Sequence, residues 1–234
     1  VSNFLKAIQS QNVPGYYRYS YSGDIYDDSF HWNVGSSVFA LKIYYTLGIE
    51  NPKYIKAAAT HIQSFLHPDG LIYDDFIYKK GRIRAFLSAI KHNNLENLFN
   101  QQYKRVETRQ CYSALMLHQQ LPAQQIKIPL PNTEKEIDIY LNKLNWQQPW
   151  GAGSHFSHLM FFYNLARQTN QINPERFEQL THYAIAWVNN LQNSNDGSWY
   201  KGNPSARFKV NGAMKILTGL IAVEKQAFAY PEKL

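Results

Sequence analysis

The stretch HFSHLMFFYNLA (155–166) decides the fold, because apolar side chains occupy nearly every side of it when it is wound as a helix. A helix of that composition is typically buried all round. Two other stretches share the property, HWNVGSSVFALKIYYTLG (31–48) and RFKVNGAMKILTGLIAV (207–223). The sequence therefore predicts three helices that are surrounded by protein.

Each all-apolar stretch has a neighbour that is apolar on one side only. Residues 51–66, 137–144 and 177–191 each carry apolar residues at helical spacing opposite a polar side, which is typical of a helix lying on a core. The two kinds of helix alternate with a period of roughly 45 to 50 residues. We predict an all-α fold, an α/α toroid that forms an incomplete or compact barrel of about five helical hairpins. An open stack of hairpins without an enclosed cavity is the alternative.

Turns rich in Gly, Asn, Asp and aromatic residues connect these helices. They are HPDGLIYDD (67–75), NWQQPWGAGS (145–154) and NSNDGSWYKGNPS (193–205). The pattern Gly-x-Ile-Tyr-Asp-Asp occurs at 23–28 and again at 70–75. We interpret this repetition as one corner that each hairpin rebuilds.

One of these corners carries a family resemblance. WVNNLQNSNDGSW (187–199) resembles the QW repeat of the squalene and oxidosqualene cyclases, with Gln192, Gly197 and Trp199 at the Gln, Gly and Trp positions and Val188 in place of an aromatic residue. HIQSFLHPDGLI (61–72) is similar but has Ile72 in place of the Trp. The resemblance implies the α/α-toroid superfold, which terpenoid cyclases, protein prenyltransferases and many polysaccharide-degrading enzymes share. It does not choose among their functions.

In a toroid, the first residues of the inner helices gather at one rim of the cavity, so the polar residues at those positions are candidate site residues. Paired carboxylates serve glycoside cleavage, and aromatic rings offer flat apolar faces to a sugar. For any single Asp, capping of the helix is the simpler explanation. The candidate catalytic residues are Asp27, Asp28, Asp74, Asp75 and His155. The candidate substrate-binding residues are Tyr26, His31, Tyr73, Trp150, His158, Trp199, Lys201, Arg207 and Asn211.

Two histidines of GAGSHFSHL (151–159) share one helix face, since His155 and His158 are three residues apart. Such a pair can bind a metal, but no third ligand follows at a recognisable spacing. We therefore predict no metal ion and no other cofactor. His155 is expected either to touch substrate or to be a core histidine, and His158 to be the more buried of the two.

A polar line runs down the last all-apolar stretch, where Arg207, Asn211 and Lys215 follow one another at intervals of four residues. Polar groups on a buried helix need partners. These residues are expected to meet either acidic side chains across the ring or a ligand in the cavity.

The composition favours a carbohydrate-active enzyme of the glycoside hydrolase or polysaccharide lyase type. Aromatic residues make up 15% of the chain and its formal charge is +7, so the expected partner is an oligosaccharide or polysaccharide, in particular an anionic one. The basic residues are scattered, so nucleic acid is not expected as a partner. A non-catalytic sugar- or protein-binding toroid is the main alternative. A terpenoid-cyclase or prenyltransferase-like protein is a further one, although DIYDD (24–28) matches neither acidic motif of the cyclases.

Length and termini bound the organisation of the chain. With 234 residues we expect a single domain, and no apolar run is long enough for a membrane span. The single cysteine, Cys111, cannot form an internal disulfide, which leaves the compartment open and slightly favours a reducing cytoplasm. The chain begins without Met, so it is expected to be trimmed or part of a longer protein.

Overall fold

The computed structural model describes residues 1–23, 34–91, 97–225 and 228–234. Over these residues it contains nine α-helices and no β-strand, and helices cover 61%, well above the globular average of roughly a third. The all-α prediction is confirmed, while closure into a toroid stays a prediction. No helix of the described part is long and apolar enough to cross a membrane. The helices are α1 (Ser2–Ile8), α2 (Val34–Thr46), α3 (Pro52–Gln63), α4 (Asp75–Lys91), α5 (Gln101–Leu117), α6 (Glu134–Asn142), α7 (Pro149–Gln168), α8 (Pro174–Asn189) and α9 (Ala206–Ala222).

The chain divides into two compact units, Val1–Lys127 and Ile128–Leu234. The prediction of a single domain stays a prediction. In the first unit, α2 packs against both α3 and α5. Helix α3 begins where the Asn51 side chain accepts a hydrogen bond from the backbone N–H of Tyr54 and Pro52 occupies the first turn, a favourable helix start.

In the second unit, α7 packs against both α8 and α9, and α6 packs against α8. Helix α7 is buried over nearly its whole length from Ala152 to Ala166. The prediction that this stretch is surrounded by protein is therefore confirmed. Because α8 and α9 both pack against α7, its apolar residues are covered on more than one side.

The other two stretches predicted to be surrounded are not. Phe39 on α2 is 61% exposed and Val210 on α9 is 68% exposed. Tyr45 on α2, and Met214 and Ile221 on α9, are exposed as well. The prediction of burial on all sides is wrong for α2 and α9, because an apolar composition does not by itself supply a neighbour for every side of a helix.

Two of the Gly-rich corners are built alike. Isolated antiparallel bridges join Leu66 to Ile72 and Gln192 to Trp199. In each corner an Asp side chain accepts a hydrogen bond from the backbone N–H two residues later, at 3.0 Å for both Asp69 and Asp196. The glycine after each Asp has a positive φ, which glycine adopts without strain. Each corner thus delivers one large side chain, Ile72 or Trp199, into the core, where both are fully buried.

Candidate functional site

Asp74 lies directly before α4 and holds its first turn. The carboxylate Oδ1 accepts hydrogen bonds from the backbone N–H groups of Phe76 at 2.8 Å and Ile77 at 3.2 Å. The residue is only 2% exposed. Asp74 therefore has the capping role that satisfies free N–H groups at a helix start. Its neighbour Asp75 is the first residue of α4 and is exposed.

Glu107, in the middle of α5, has a strongly shifted pKa. It is half-buried. Burial raises the pKa of Glu107, and the negative charge of Asp74 raises it further, to about 7. A carboxyl group that titrates near neutral pH can both donate and accept a proton there, which is the property of a general acid or base.

Tyr103 lies one helical turn before Glu107 on α5. Burial raises the pKa of Tyr103 well above its ordinary value, and the charges of Glu107 and Asp74 raise it further. The phenol therefore keeps its proton at neutral pH. It can donate a hydrogen bond beside the two carboxyl groups but cannot take up a proton as a base.

Two residues at the interface between α2 and α5, Lys42 and Cys111, also have shifted pKa values. Burial, together with the positive charge of Arg109, lowers the pKa of Lys42 to about 8. The ammonium donates a hydrogen bond to Gln110 Oε1. Cys111 is fully buried, and burial raises the pKa of its thiol. A thiol that resists ionisation is a poor nucleophile, so Cys111 is a core residue here.

Aromatic rings surround Tyr73, which directly precedes Asp74. The His67 ring stacks on Tyr73 with 3.8 Å between centroids, and Lys104 Nζ lies 4.7 Å from the Tyr73 centroid and 4.4 Å from that of Tyr78. Tyr73 is only 6% exposed. Its ring is covered by these protein groups, and Lys104 places a positive charge beside the corner.

In the second unit, the two predicted histidines differ in burial. His158 is buried, whereas His155 is half-buried, so His158 is the more buried of the two, as the sequence predicts. The Tyr140 hydroxyl lies 3.4 Å from His155 Nδ1 and donates to the His155 carbonyl at the same distance. The phenol of Tyr140 thereby orients the His155 ring.

Trp150 and Arg207, both predicted to bind substrate, lie together. The Arg207 guanidinium carbon is 5.7 Å from the centre of the Trp150 ring, within the range of a cation–π contact. Trp150 remains 37% exposed. Asn211 donates to the Arg207 carbonyl at 2.8 Å, within the same helix. Lys201 is exposed, and its backbone N–H donates to the Trp146 carbonyl at 3.0 Å.

Trp199 is part of the core of the second unit. It is fully buried, its indole Nε1 donates to Asn189 Oδ1 at 3.4 Å, and its ring meets Phe228 edge to face at 5.5 Å. Protein atoms cover the indole, which therefore offers no open face for a sugar in this structure.

Four predicted site residues, Tyr26, Asp27, Asp28 and His31, lie outside the described residues. Convergence of the predicted residues at one rim stays a prediction. Glu107 and Tyr103 belong to no motif, so the sequence pattern did not identify them. One signal was available: Glu107 stands one turn before Cys111, on a helix whose buried face is formed by Thr108, Cys111, Tyr112 and Leu115.

Among the described residues, no group of three or more His, Cys, Asp or Glu side chains is placed to hold a metal ion. Comparison of the chain with protein-family models, curated proteins and solved structures found no match. The functional interpretation therefore depends on the residues of this chain.

Proposed function

We propose that the chain is a carbohydrate-active enzyme of the hydrolase type, with Glu107 as its general acid. The observation that supports this is a carboxyl group with a pKa of about 7 beside a second acidic side chain. Glycoside cleavage uses one carboxylic acid that still carries its proton at working pH and a second carboxylate as base or nucleophile.

The two residues that follow Tyr73 receive different roles in this proposal. Asp74 is a positioning residue, because its Oδ1 is held by two backbone N–H groups and the residue is nearly inaccessible. Its charge keeps Glu107 protonated to a higher pH. Asp75, exposed at the start of α4, is the candidate for the second reacting carboxylate.

The raised pKa of Tyr103 favours hydrolysis over the lyase alternative at this place. A lyase needs a base that takes a proton from the sugar ring, and the Tyr103 phenol is already protonated. The proton donor that the cluster does offer, Glu107, suits departure of a glycosidic oxygen. The positive charge of Lys104 beside Tyr73 suits a substrate that carries acidic sugars.

The test compares the parent protein with Glu107→Gln on a panel of neutral and uronate-containing oligosaccharides, with release of reducing ends as the readout. Glu175→Gln on α8, an exposed residue, is the matched control. We expect the parent to cleave a member of the panel and Glu107→Gln to lose about a hundredfold or more of the rate, the usual effect of losing a general acid. A parent that cleaves nothing, or a Glu107→Gln variant as active as the control, would overturn the proposal.

A second candidate function is binding of an apolar molecule by the second unit. A groove of about 710 Å³ follows α9 and is lined by Val210, Met214, Leu217 and Ile221, a volume and polarity that suit a small-molecule site. At its polar end Lys209 Nζ contacts Asp196 Oδ2 at 2.9 Å and the Tyr200 hydroxyl at 3.0 Å. This groove favours the non-catalytic and terpenoid-like alternatives over a sugar.

Calorimetric titration with an isoprenoid alcohol distinguishes these alternatives. Binding that is lost in Met214→Glu and kept in Glu107→Gln would support the second candidate. Absence of binding to the parent would remove it without affecting the hydrolase proposal.

A further inference from the structure

Helix α4 presents its large apolar side chains to solvent. Ile83 is 75% exposed, Leu87 61% and Ile90 57%, and Phe76 and Phe86 are also exposed. The only residue of the helix that is buried is the small Ala89. This is the reverse of an ordinary surface helix, whose large apolar residues face the core.

These five apolar residues form one face. At 3.6 residues per turn, Phe76, Ile83, Phe86, Leu87 and Ile90 fall within a sector about 100° wide. The opposite side carries small residues, including Gly81, where an added Cβ would approach Asn100 Nδ2 to 3.3 Å. Asn100 Nδ2 also donates to the Tyr78 carbonyl at 3.4 Å. The small-residue side therefore rests on the protein, and the large apolar side is exposed.

The same helix concentrates positive charge. It contains Lys79, Lys80, Arg82, Arg84 and Lys91 against the single acid Asp75, which gives 5 − 1 = +4 of the +7 carried by the whole chain. On the helical projection Lys79 falls inside the apolar sector, Lys80, Arg84 and Lys91 follow one of its edges, and Arg82 lies beyond the other. The exposed face is therefore apolar and cationic together.

We propose that this face of α4 binds the surface of an anionic lipid bilayer, with the helix lying in the plane of the interface. The five apolar side chains would enter the boundary between headgroups and acyl chains, and the lysine and arginine side chains would reach the lipid phosphates. Helices with large apolar residues on one side and flanking cations bind membranes in this way. Long basic side chains can bury their methylene stems while the charge stays with the headgroups.

Two features favour a lipid surface over an acidic protein. Protein interfaces separate an apolar centre from a polar rim and are depleted in lysine at the centre, whereas Lys79 lies within the apolar sector of α4. A partner that wraps round the helix would also need its inner side, where Gly81 and Tyr78 approach Asn100. A bilayer contacts one side only, which is the side that the structure leaves exposed. The proposal does not depend on the hydrolase activity.

The test is sedimentation of the full chain with vesicles of phosphatidylcholine alone and of phosphatidylcholine with phosphatidylserine. The apolar variant is Ile83→Ser combined with Leu87→Ser, and the charge variant is Lys80→Glu combined with Arg84→Glu. The matched control, Phe39→Ser combined with Tyr45→Ser, removes two exposed aromatic residues from α2. Circular dichroism checks that each variant keeps its helices.

We expect the parent and the α2 control to bind the phosphatidylserine vesicles in a salt-sensitive manner, and both α4 variants to bind at least about tenfold more weakly. Binding that the apolar variant keeps in full would overturn the proposal, because the contact would then be electrostatic alone. A parent protein that binds neither kind of vesicle would also overturn the proposal. If that parent binds polyglutamate instead, the face recognises an acidic polypeptide.

Discussion

Asp74 raises the pKa of Glu107 beyond the effect of burial, while its own carboxylate holds the first turn of α4. Two nearby carboxyl groups ionise together only at a cost. Burial of Glu107 adds to this cost, so Glu107 keeps its proton to a higher pH. The start of one helix thereby sets the protonation of a residue on another, and this coupling can be measured without knowing a substrate.

The first prediction is that Glu107→Gln stabilises the protein at mildly alkaline pH. The folded-state pKa of about 7 lies above the ordinary value of 4.5, so the folded protein binds the extra proton between these values. The stabilisation from this proton is complete below pH 4.5 and is lost as the pH rises through 7. Near pH 8 the parent must bury a charge that glutamine lacks. We expect Glu107→Gln to have a higher free energy of unfolding there by about 1 to 3 kcal/mol.

Urea unfolding at about pH 5 and about pH 8 measures this difference. It should be several-fold smaller near pH 5, where Glu107 keeps its proton in the folded protein and the unfolded chain gains little from losing it. Glu175→Gln, at an exposed position, is the control. An equal difference at both pH values would mean that the substitution acts through packing rather than through charge.

The second prediction separates the charge of Asp74 from its capping role. Asn is as good a cap as Asp, so Asp74→Asn should keep most of the stability while lowering the pKa of Glu107. Asp74→Ala should lower that pKa equally and also cost about 1 kcal/mol through loss of the cap. The measurement is titration of the Glu107 side-chain carboxyl carbon by NMR, together with urea unfolding.

Asp75→Asn is the matched control, because Asp75 is exposed and does not contribute to the altered pKa of Glu107. A Glu107 titration that is the same in Asp74→Asn and in the parent would show that burial alone sets its pKa.

A structural feature could be predicted from the sequence where residues close together in the chain determine it. Burial of α7 follows from its own composition, and the corners follow from Asp-Gly pairs whose hydrogen bonds span two residues. The pKa of Glu107 depends instead on burial by other elements and on Asp74, 107 − 74 = 33 residues earlier. No local sequence pattern reflects that electrostatic interaction.

The QW-like segment (187–199) is a second case in which the sequence pattern did not predict a tertiary arrangement. The segment predicts a turn and places Trp199 among the candidate substrate-binding residues. Gln192 Nε2 closes that corner by donating to the Gly197 carbonyl at 2.8 Å. The pattern does not say which side of the corner faces the core. In the structure the ring of Trp199 points into it.

The third prediction compares the two tryptophans that the sequence placed at the site. Trp199→Ala removes a fully buried indole from the core of the second unit and should cost about 3 to 5 kcal/mol. Trp150→Ala removes a ring that is 37% exposed, together with its contact to Arg207, and should cost about 1 to 2 kcal/mol. Unfolding in urea, followed by circular dichroism, gives both values. Equal costs would contradict the assignment of Trp199 to the core.

The last prediction concerns Gly70 at the corner before Tyr73. It has φ +79°, and an added Cβ would lie 2.5 Å from the Gln125 carbonyl oxygen and 2.6 Å from Ile126 Cα. Both are backbone atoms, which cannot avoid the clash by changing a side-chain rotamer. Gly48 has φ +60° with open space around it, so Gly48→Ala should cost only the backbone strain of about 1 to 2 kcal/mol. Gly70→Ala should cost about 1 to 3 kcal/mol more, because it adds overpacking. Both lie in the first unit, so urea unfolding compares them directly, and equal losses would mean that segment 125–126 does not pack on this corner.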